Sequence, residues 1–305
     1  MSDSGSVEHG ASPVLAAVQR ELVGLFAKPM AAGLYLVATP IGNLADTSLR
    51  AIATLALADL LYCEDTRHSR KLLDRYGIVR RLRSLHDHNE EVESSAVLRE
   101  LSAGRSVALV SDAGTPLISD PGYKLARAAT AARHRVFAVP GASAVLAALS
   151  ASGLPTDCFT FAGFLPAKAG QRLERLRELR SVAGTLIFFE APGRLEASLG
   201  ALCEVFGSDC KGAVARELTK LHEETRQGSL AELRDWAASG EARGEFVILA
   251  APVRDSDAVA SDDHILTALG HLDAGSLRDR VDVVARQLRA PRKKVYDLAL
   301  RSRKD

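Results

Sequence analysis

Four short loops in this sequence combine glycine, proline and hydrogen-bonding side chains directly after an apolar run. The loops are TPIGNLAD (39–46), EDTRH (64–68), SDAGTP (111–116) and PGAS (140–143). Glycine allows a ligand to approach the backbone closely, and proline fixes the shape of a loop before the ligand arrives. Asp112, beside Gly114, could accept hydrogen bonds from an amine or a hydroxyl group. One such loop could be an ordinary tight turn, since turns use the same residue types, but four of them favour a ligand site.

None of the four loops has a pattern that binds phosphate groups. There is no G-x-G-x-x-G after the first apolar run, and no G-x-x-x-x-G-K-[ST] occurs in the chain. A nucleotide-like ligand would therefore have to be bound without a phosphate-binding loop. S-adenosylmethionine meets this description, because it contains adenosine but no phosphate.

The loops are placed by apolar runs that alternate with helical patterns from Gly33 onward. The predicted strands LYLVAT, LLYCE, SVALVS and RVFAVP each lead into one of the loops, and helical spacing follows. This rhythm predicts a largely parallel sheet with helices on both faces. The carboxyl ends of its strands share one edge, where α/β proteins bind ligands. We therefore expect the four loops to meet at that edge.

Changes of pattern divide the chain into five segments. Residues 33–152 are predicted to form an N-terminal α/β domain that carries the ligand loops. Residues 153–252 are predicted to form a second α/β domain, with the strand-like stretches CFTFAGFLP, TLIFFEAP, GAVARELT and GEFVILAAP. Residues 1–32 are expected to be a disordered extension with one or two amphipathic turns, and not a signal peptide. A polar linker over 253–263 precedes a basic helical domain over 264–305.

Charge is concentrated in the last segment. The formal net charge of the whole chain is +1, but Ser276 to Lys304 contain ten Lys or Arg and three Asp, a balance of +7. A basic tail on a mildly acidic body indicates a polyanionic partner, although a solvated helical face would have the same composition. The helix–break–helix pattern there would also suit a DNA-binding regulator whose body senses a small ligand.

The composition also bears on location. No apolar run is long enough to span a bilayer. The four cysteines match neither a zinc-binding spacing nor a secreted disulfide framework. We expect a cytoplasmic protein with reduced cysteines and no membrane partner.

Eight motifs, in order along residues 33–252, together resemble the tetrapyrrole-methylase superfamily, and more narrowly its branch that methylates ribosomal RNA. They are TPIGNLADTSLRA, EDTRHSRKLL, LHDHNE, ALVSDAGTPLISDPG, VPGAS, GFLP, LIFFEAPGRL and ARELTKLHEE. The resemblance implies a two-domain tetrapyrrole-methylase-like α/β fold with a small all-α C-terminal domain, usually in a homodimer. It implies transfer of a methyl group from S-adenosylmethionine to the 2′-hydroxyl of cytidine 1402 in 16S ribosomal RNA of the 30S subunit. A methylase of a small tetrapyrrole is an alternative that the basic tail disfavours.

The resemblance also implies a set of residues around the cofactor. These are Pro40, Ile41, Asp112, Ala113, Gly114, Thr115, Ser143 and Ala144 in the first domain, with Phe189, Ala215 and Arg216 in the second. The SDPG run would start the next helix and pack the cofactor loop from behind. Two residues depart from the family pattern, namely Ala142 where proline is common and Gly193 where histidine is common.

Methyl transfer to a ribose hydroxyl is an in-line displacement for which the protein supplies alignment and proton handling. A carboxylate or a lysine could act as general base. The candidates are Asp65, Glu217, Glu190 and Lys220, with Glu64 as a further possibility. Each of them could equally form a scaffold ion pair with a neighbouring basic residue.

Basic and aromatic residues are candidates for substrate contacts. Those predicted to bind RNA are Arg67, His68, His86, His88, Lys293 and Lys294. Phe164 could stack on an unstacked base, or it could be an ordinary core residue. The two histidines in LHDHNE could hold a metal, but no metal site is predicted, because methyl transfer from a sulfonium needs none. A polar helix N-terminus at Asn89 is the alternative reading of that motif.

Overall fold

A computed structural model describes residues 12–86, 88–240, 243–252, 262–272, 276–288 and 290–302. The chain folds into two compact units, residues 1–252 and residues 253–305. The first unit contains two five-stranded sheets, and the second contains helices.

The first element is a helix, α1 (Pro13–Phe26), where the sequence predicts a disordered extension. Proline occupies the start of the helix, where its missing N–H costs nothing, and most of the residues that follow favour helical backbone. The helix packs against the second helix, α2 (Leu49–Leu57). The expected disorder is thus replaced by a helix over these residues, and residues 1–11 lie outside the described part of the chain.

The first sheet is entirely parallel, as predicted. Its strands are β1 (Gly33–Val37), β2 (Leu60–Cys63), β3 (Leu82–Ser84), β4 (Ser106–Val110) and β5 (Val136–Val139), in the spatial order β3-β2-β4-β1-β5. The connecting helices after α2 are α3 (Thr66–Arg75), α4 (Glu90–Ser102), α5 (Tyr123–Ala131) and α6 (Ala144–Ala151). The sequence patterns miss β3, a half-buried edge strand of three residues.

Both faces of this sheet are covered, because successive side chains of a strand point to opposite sides. Leu61 and Cys63 belong to one apolar cluster, with Leu55 of α2. Leu60 and Tyr62 belong to the cluster on the other face. Every residue of β2 and β4 is buried, which explains why these strands read as continuous apolar runs.

The second sheet is mixed. Its strands are β6 (Phe159–Phe164), β7 (Thr185–Glu190), β8 (Lys211–Arg216), β9 (Glu224–Ser229) and β10 (Phe246–Ala250), in the order β6-β7-β10-β8-β9. Only β6 and β7 are parallel, and the other pairs are antiparallel. The helices are α7 (Ala169–Leu179), α8 (Leu195–Phe206) and α9 (Leu230–Ala238). The predicted capping box of Ser229 and Glu232 at α9 is confirmed.

The two sheets share one hydrophobic cluster. Ile41 and Val145 from the first half pack in the same cluster as Ile187 and Leu249 from the second half. The two predicted α/β domains are therefore halves of a single compact unit. The boundary near residue 152 is a change of sheet within that unit.

Within its described residues the second unit contains helices and no strand, as predicted. Its helices are α10 (Asp262–Gly270), α11 (Leu277–Gln287) and α12 (Arg292–Arg301). Their apolar faces form a cluster that includes Ile265, Val281 and Val295. Because α10 begins at Asp262, the last two residues of the predicted linker are helical, and the rest of it lies outside the described residues.

A buried carboxylate fixes the start of α5. Glu90 is only 4% exposed, and its Oε1 accepts hydrogen bonds from the backbone N–H groups of Gly122 at 3.1 Å and Lys124 at 2.9 Å. The first N–H groups of a helix have no partner within the helix, and a negative charge there is favourable. Glu90 of α4 therefore anchors both α5 and the end of the loop that precedes it.

We predict that Glu90→Ala lowers the free energy of unfolding by about 2 kcal/mol, because it leaves buried N–H donors without an acceptor. Denaturant unfolding followed by the fluorescence of Trp236, the single tryptophan, measures the change. Glu91→Ala, at an exposed position of the same helix, is the matched control and should change the value by less than about 0.5 kcal/mol. Equal losses in the two variants would contradict the anchoring role.

Candidate functional site

The predicted loops meet at the carboxyl edge of the parallel sheet. Thr39, after β1, and Gly114, after β4, exchange two backbone hydrogen bonds of 2.8 and 3.0 Å. The Thr115 hydroxyl donates to the Ala142 carbonyl, 3.4 Å away, which ties in the loop after β5. The expected convergence of the loops is confirmed.

The loop after β2 joins the same edge through Asp112. The backbone N–H of Asp65 donates to Asp112 Oδ1 at 3.0 Å. One carboxylate oxygen of Asp112 is thereby used to hold the neighbouring loop, and the side chain is oriented by this bond. Asp112 also lines a cavity.

The cavity has a volume of about 420 Å³ and lies between the loops of the first half and the sheet of the second half. That size is within the range of small-molecule sites. Eight of the eleven residues predicted around a cofactor line it, namely Ile41, Asp112, Ala113, Gly114, Thr115, Ser143, Ala144 and Phe189. The first-half loops therefore form one wall, as the sequence predicts.

The other three predicted cofactor residues lie behind the wall or beside it. Pro40 is buried next to Ile41. Ala215 is fully buried in β8, within the same apolar cluster as Ile41, so it supports the wall without lining it. Arg216 directs its guanidinium toward Glu224, at 3.9 Å.

Second-half residues form the opposite wall of the cavity. Two of them, the buried Leu218 and Val247, are not among the site residues predicted from the sequence. Phe189 packs edge-to-face with Phe161 and Phe164, at ring-centroid distances of 4.7 and 5.7 Å. These side chains give the cavity a largely apolar wall suited to a flat ring system.

The two halves touch directly beside the cavity. A Cβ on Gly42 would lie 2.5 Å from Lys220 Cγ and 2.8 Å from Thr219 Oγ1, so only glycine fits between the loops. The backbone N–H of Asn43 donates to Thr219 Oγ1 at 3.0 Å. The first-half loop PIGN is thus docked on the second-half loop ELTK.

The charged groups of the lining are all acidic. Asp112, Asp120, Glu190 and Glu245 contribute, and no Lys, Arg or His is among the described residues that line the cavity. Glu190 and Glu245 each have a basic partner outside the lining, Arg194 and Lys220 respectively. The arrangement favours a cationic ligand and disfavours phosphate groups.

Glu190, a predicted general base, is held inside the protein. Its side chain has no exposed surface and accepts hydrogen bonds from the Arg194 guanidinium, the Ser198 hydroxyl and the Ala191 backbone N–H. Every carboxylate oxygen is thus engaged by a donor. This geometry is that of a structural ion pair, and Glu190 anchors the turn over Pro192–Arg194.

Glu217 and Lys220 pair with each other outside the described cavity lining. Lys220 Nζ lies 2.9 Å from both Glu217 Oε1 and Glu245 Oε2. The hydrogen bond from Lys220 is the main reason that the pKa of Glu217 is lowered. A carboxylate with a lowered pKa is a weaker base.

Asp65 is the N-cap of α3. Its Oδ1 accepts a hydrogen bond of 2.7 Å from the Arg67 backbone N–H, and its Oδ2 lies 3.2 Å from the Arg67 guanidinium. Chiefly because of the Arg67 side chain, the pKa of Asp65 is lowered. Asp65 is also absent from the described cavity lining.

A carboxylate that sequence reasoning assigned to packing does line the cavity. Asp120, in the SDPG run that is expected to pack the cofactor loop from behind, lines the cavity. Burial, followed by the negative charge of Glu64, raises the pKa of Asp120 to about 7. The signal in the sequence was a second aspartate on a loop already identified by Asp112.

The predicted RNA-binding residues lie in two places. Arg67 and His68 are exposed at the start of α3, and the rings of His86 and His88 are 5.9 Å apart in the loop before α4. None of these four residues lines the cavity. Lys293 and Lys294 open α12 in the second unit.

The LHDHNE loop is organised by Asn89. The Asn89 side chain accepts a hydrogen bond of 2.8 Å from the His86 backbone N–H and donates one of 3.0 Å to the Ser84 carbonyl. Asn89 occupies the N-cap position of α4, which agrees with the alternative reading of the motif. Within the described ranges, no group of three or more His, Cys, Asp or Glu is arranged to hold a metal.

The structure accommodates both departures from the family pattern, Ala142 and Gly193. The Ala142 carbonyl still accepts the hydrogen bond of Thr115, so the PGAS loop keeps its contact without the proline. Gly193 lies in the turn over Pro192–Arg194, and no atom lies within 4 Å of an added Cβ. A larger residue would therefore fit at position 193.

No helix in the described residues is both long enough and apolar enough to cross a membrane.

The family described as Tetrapyrrole (Corrin/Porphyrin) Methylases matches residues 33–234. Among individual proteins, the ribosomal RNA small subunit methyltransferase I of Mesorhizobium japonicum is 55% identical over 245 residues, covering 80% of this chain and 83% of the relative. The protein of the same name from Pseudomonas aeruginosa is 52% identical, covering 73% and 80%.

Solved structures share the fold at lower identity. Diphthine synthase superposes with a TM-score of 0.57 at 15% identity, covering 72% of this chain and 89% of that one. Uroporphyrin-III C-methyltransferase from Thermus thermophilus, solved with S-adenyl homocysteine, superposes with a TM-score of 0.51 at 19% identity, covering 72% and 98%. The chain therefore belongs to the tetrapyrrole (corrin/porphyrin) methylase family and, within it, to the family of ribosomal RNA small subunit methyltransferase I.

Proposed function

We propose that this protein is an S-adenosylmethionine-dependent methyltransferase that methylates the ribose 2′-hydroxyl of cytidine 1402 in 16S ribosomal RNA. The observation that carries the proposal is a cavity with acidic groups and no described basic group, in a chain 55% identical to a ribosomal RNA small subunit methyltransferase I. The position and the ribose specificity come from the family resemblance of the motifs.

The cavity residues fit S-adenosylmethionine. The cofactor carries a positive sulfonium and an ammonium group, which suit Asp112 and the acidic lining. Its adenine is flat and suits the wall formed by Ile41, Phe189 and Val247. When bound, the cofactor supplies a methyl group activated by the positive sulfur, and the protein supplies orientation and proton handling.

The second unit supplies charge suited to RNA. Arg292, Lys293 and Lys294 open α12, where Arg292 and Lys293 are exposed and Lys294 is partly buried. Two of the three have acidic partners, since Arg292 pairs with Asp282, and Lys294 Nζ lies 3.0 Å from Asp262. Lys293 is exposed, with no salt bridge among the described residues. We propose that this end of α12 contacts RNA phosphates.

The assembly and the location of the protein are part of the proposal. The family resemblance suggests a homodimer, and a substrate within the 30S subunit suggests a cytoplasmic enzyme. Sedimentation of the purified protein at micromolar concentration measures the first, and a monomer would contradict it.

The function is tested by incubating the purified protein with methyl-labelled S-adenosylmethionine and 30S subunits from cells that lack the modification. We expect label in 16S ribosomal RNA, at a nuclease-resistant 2′-O-methyl position that mass spectrometry places at cytidine 1402. Sequence-specific binding to duplex DNA without transfer would support a regulator. Label in a tetrapyrrole but not in RNA would support the small-molecule methylase. Either result would overturn the proposal.

For RNA binding, we predict that Lys293→Ala weakens affinity and reduces the slope of log K against log salt by about 0.7–0.9. Adding Lys294→Ala should reduce the slope further, but by less, because Lys294 already pairs with Asp262. Filter binding at several salt concentrations measures both slopes. Lys211→Ala, an exposed lysine in the first unit, is the charge-matched control. A slope that changes only in the control would exclude α12 from the interface.

A further inference from the structure

We propose that Asp120 is the general base that accepts the proton of the RNA hydroxyl during methyl transfer. The inference rests on the proposed function and deepens it by assigning a catalytic residue. It departs from the four candidates that the sequence suggested.

Asp120 lies in a position that a general base could use. Asp120 lines the cavity on the same loop as Asp112, and it lies between Ile118 and Gly122. Of the other three acidic residues in the lining, only Asp112 lies on the same loop as Asp120. A base must reach both the cavity and the mouth through which RNA would enter. Ile118, two residues away, is 44% exposed while also lining the cavity, so this part of the loop spans both regions.

The other carboxylates of the lining are already engaged by other groups. Glu190 is paired with Arg194, and Glu245 with Lys220. Asp112 is used to hold the backbone N–H of Asp65. In the part of the chain that the structure describes, Asp120 makes no salt bridge. Asp112 and Asp120 are therefore the two carboxylates of the lining that no described basic side chain compensates, and one oxygen of Asp112 is already occupied by the Asp65 N–H.

The ionisable groups that face Asp120 are themselves carboxylates. Glu64, just after β2, and Asp112, after β4, present negative charge to Asp120. Burial and these like charges raise the pKa of Asp120 to about 7, although the nearby Ser111 hydroxyl acts in the opposite direction. Across the cavity, Glu190 is compensated by Arg194. A base whose pKa lies near neutral pH is half-deprotonated there and still accepts a proton well.

The loop that carries Asp120 has a fixed shape. Leu117 and Ser119 adopt left-handed backbone angles, with φ of 74° and 67°, which non-glycine residues rarely do. The far end of the loop is fixed at Gly122, whose N–H is held by Glu90 and where a Cβ would lie 2.6 Å from Leu109 Cδ2. Strained backbone of this kind persists only where the surroundings determine it, and it concentrates at functional sites.

The opposite side of the mouth contains a surface for a base. The register of β6 against β7 shifts between Phe161 and Phe164, and such a bulge redirects a side chain. Phe164 lines the cavity and is 56% exposed. An unstacked nucleobase on Phe164 would bring its ribose to the mouth of the cavity that Asp120 lines.

The chemical step balances with these groups. The ribose oxygen forms a bond to the methyl carbon, and the carbon–sulfur bond of the donor breaks with its electron pair retained by sulfur. The hydroxyl proton passes to the Asp120 carboxylate, which releases it to water after the product leaves. No further reactant is required.

The test compares the full-length protein with Asp120→Asn, which keeps the size of the side chain and removes the base. We expect a loss of roughly 10²–10⁴-fold in kcat, with the affinity for S-adenosylmethionine by calorimetry changed by less than about threefold. The kcat/KM of the wild type should rise with pH between about 6 and 8, and that rise should be absent in the variant. Asp157→Asn, on an exposed loop, is the matched control and should leave both quantities unchanged.

A second measurement needs no turnover. In protein labelled with [γ-¹³C]aspartate and without cofactor, the signal that Asp120→Asn removes should titrate near pH 7. Titration near pH 4, or a variant with wild-type kcat, would overturn the assignment of Asp120 while the proposed function stands. A loss of activity explained wholly by weaker cofactor binding would also overturn it. A wild-type protein that transfers no label to RNA would overturn the proposed function and the base together.

Discussion

Replacing Glu190 with alanine should lower the free energy of unfolding of the first unit by about 3 kcal/mol, because it leaves the Arg194 charge without its buried partner. The Glu190 side chain has no exposed surface and receives hydrogen bonds from three groups. Denaturant unfolding followed by Trp236 fluorescence measures the change. We expect Glu190→Gln to lose less, since the amide keeps one acceptor oxygen.

The control for this prediction is an ion pair of the same residue types on the surface. Arg175 and Glu178 lie 2.8 Å apart, with 46% and 59% of their side chains exposed. Such pairs contribute little, so Glu178→Ala should change stability by less than about 0.5 kcal/mol. If Glu190→Ala were as stable as wild type but inactive, the structural reading of Glu190 would be wrong and a chemical role would be favoured.

Among the substitutions proposed here, removing the charge of Asp112 should weaken the affinity for S-adenosylmethionine the most. Hydrogen bonds to charged groups contribute about 1.5–3 kcal/mol, so Asp112→Asn should weaken binding of S-adenosylmethionine by about 10–100-fold. The amide oxygen can still accept the hydrogen bond from the Asp65 backbone N–H, so the loops should stay joined. Calorimetry measures the affinity, with Asp157→Asn as the matched control, and an unchanged dissociation constant would refute the role.

Much of the first half could be predicted from the sequence because its strands are buried on both faces. LLYC and SVALV are uninterrupted apolar runs, and each leads into a loop of glycine, proline and aspartate. A parallel sheet then requires those loops to meet. The two strands that the patterns missed are β3, with three residues, and β9, whose sequence ETRQGS is polar because it lies at an exposed edge. Edge strands need not alternate apolar and polar residues.

The opposite wall of the cavity and the state of its carboxylates could not be predicted in the same way. Leu218 and Val247 become neighbours only through the strand order β7-β10-β8, which local patterns do not specify. Asp120 and Glu190 are both acids beside presumed strand or loop ends in the sequence. The two carboxylates differ in their charged neighbours, and this difference arises only in the folded protein. There Glu190 pairs with Arg194, whereas Asp120 lies near other carboxylates.

The apolar cluster between the sheets has a consequence for how this protein can change. Ile41, Val145 and Val247 line the cavity and also pack where the two halves join. A smaller side chain at any of them would widen the ligand space and remove contacts that hold the sheets together, at a cost of about 1 kcal/mol or more for each methylene lost. Variants selected to accept a bulkier methyl donor should therefore melt at lower temperature unless a compensating change arises on the facing sheet.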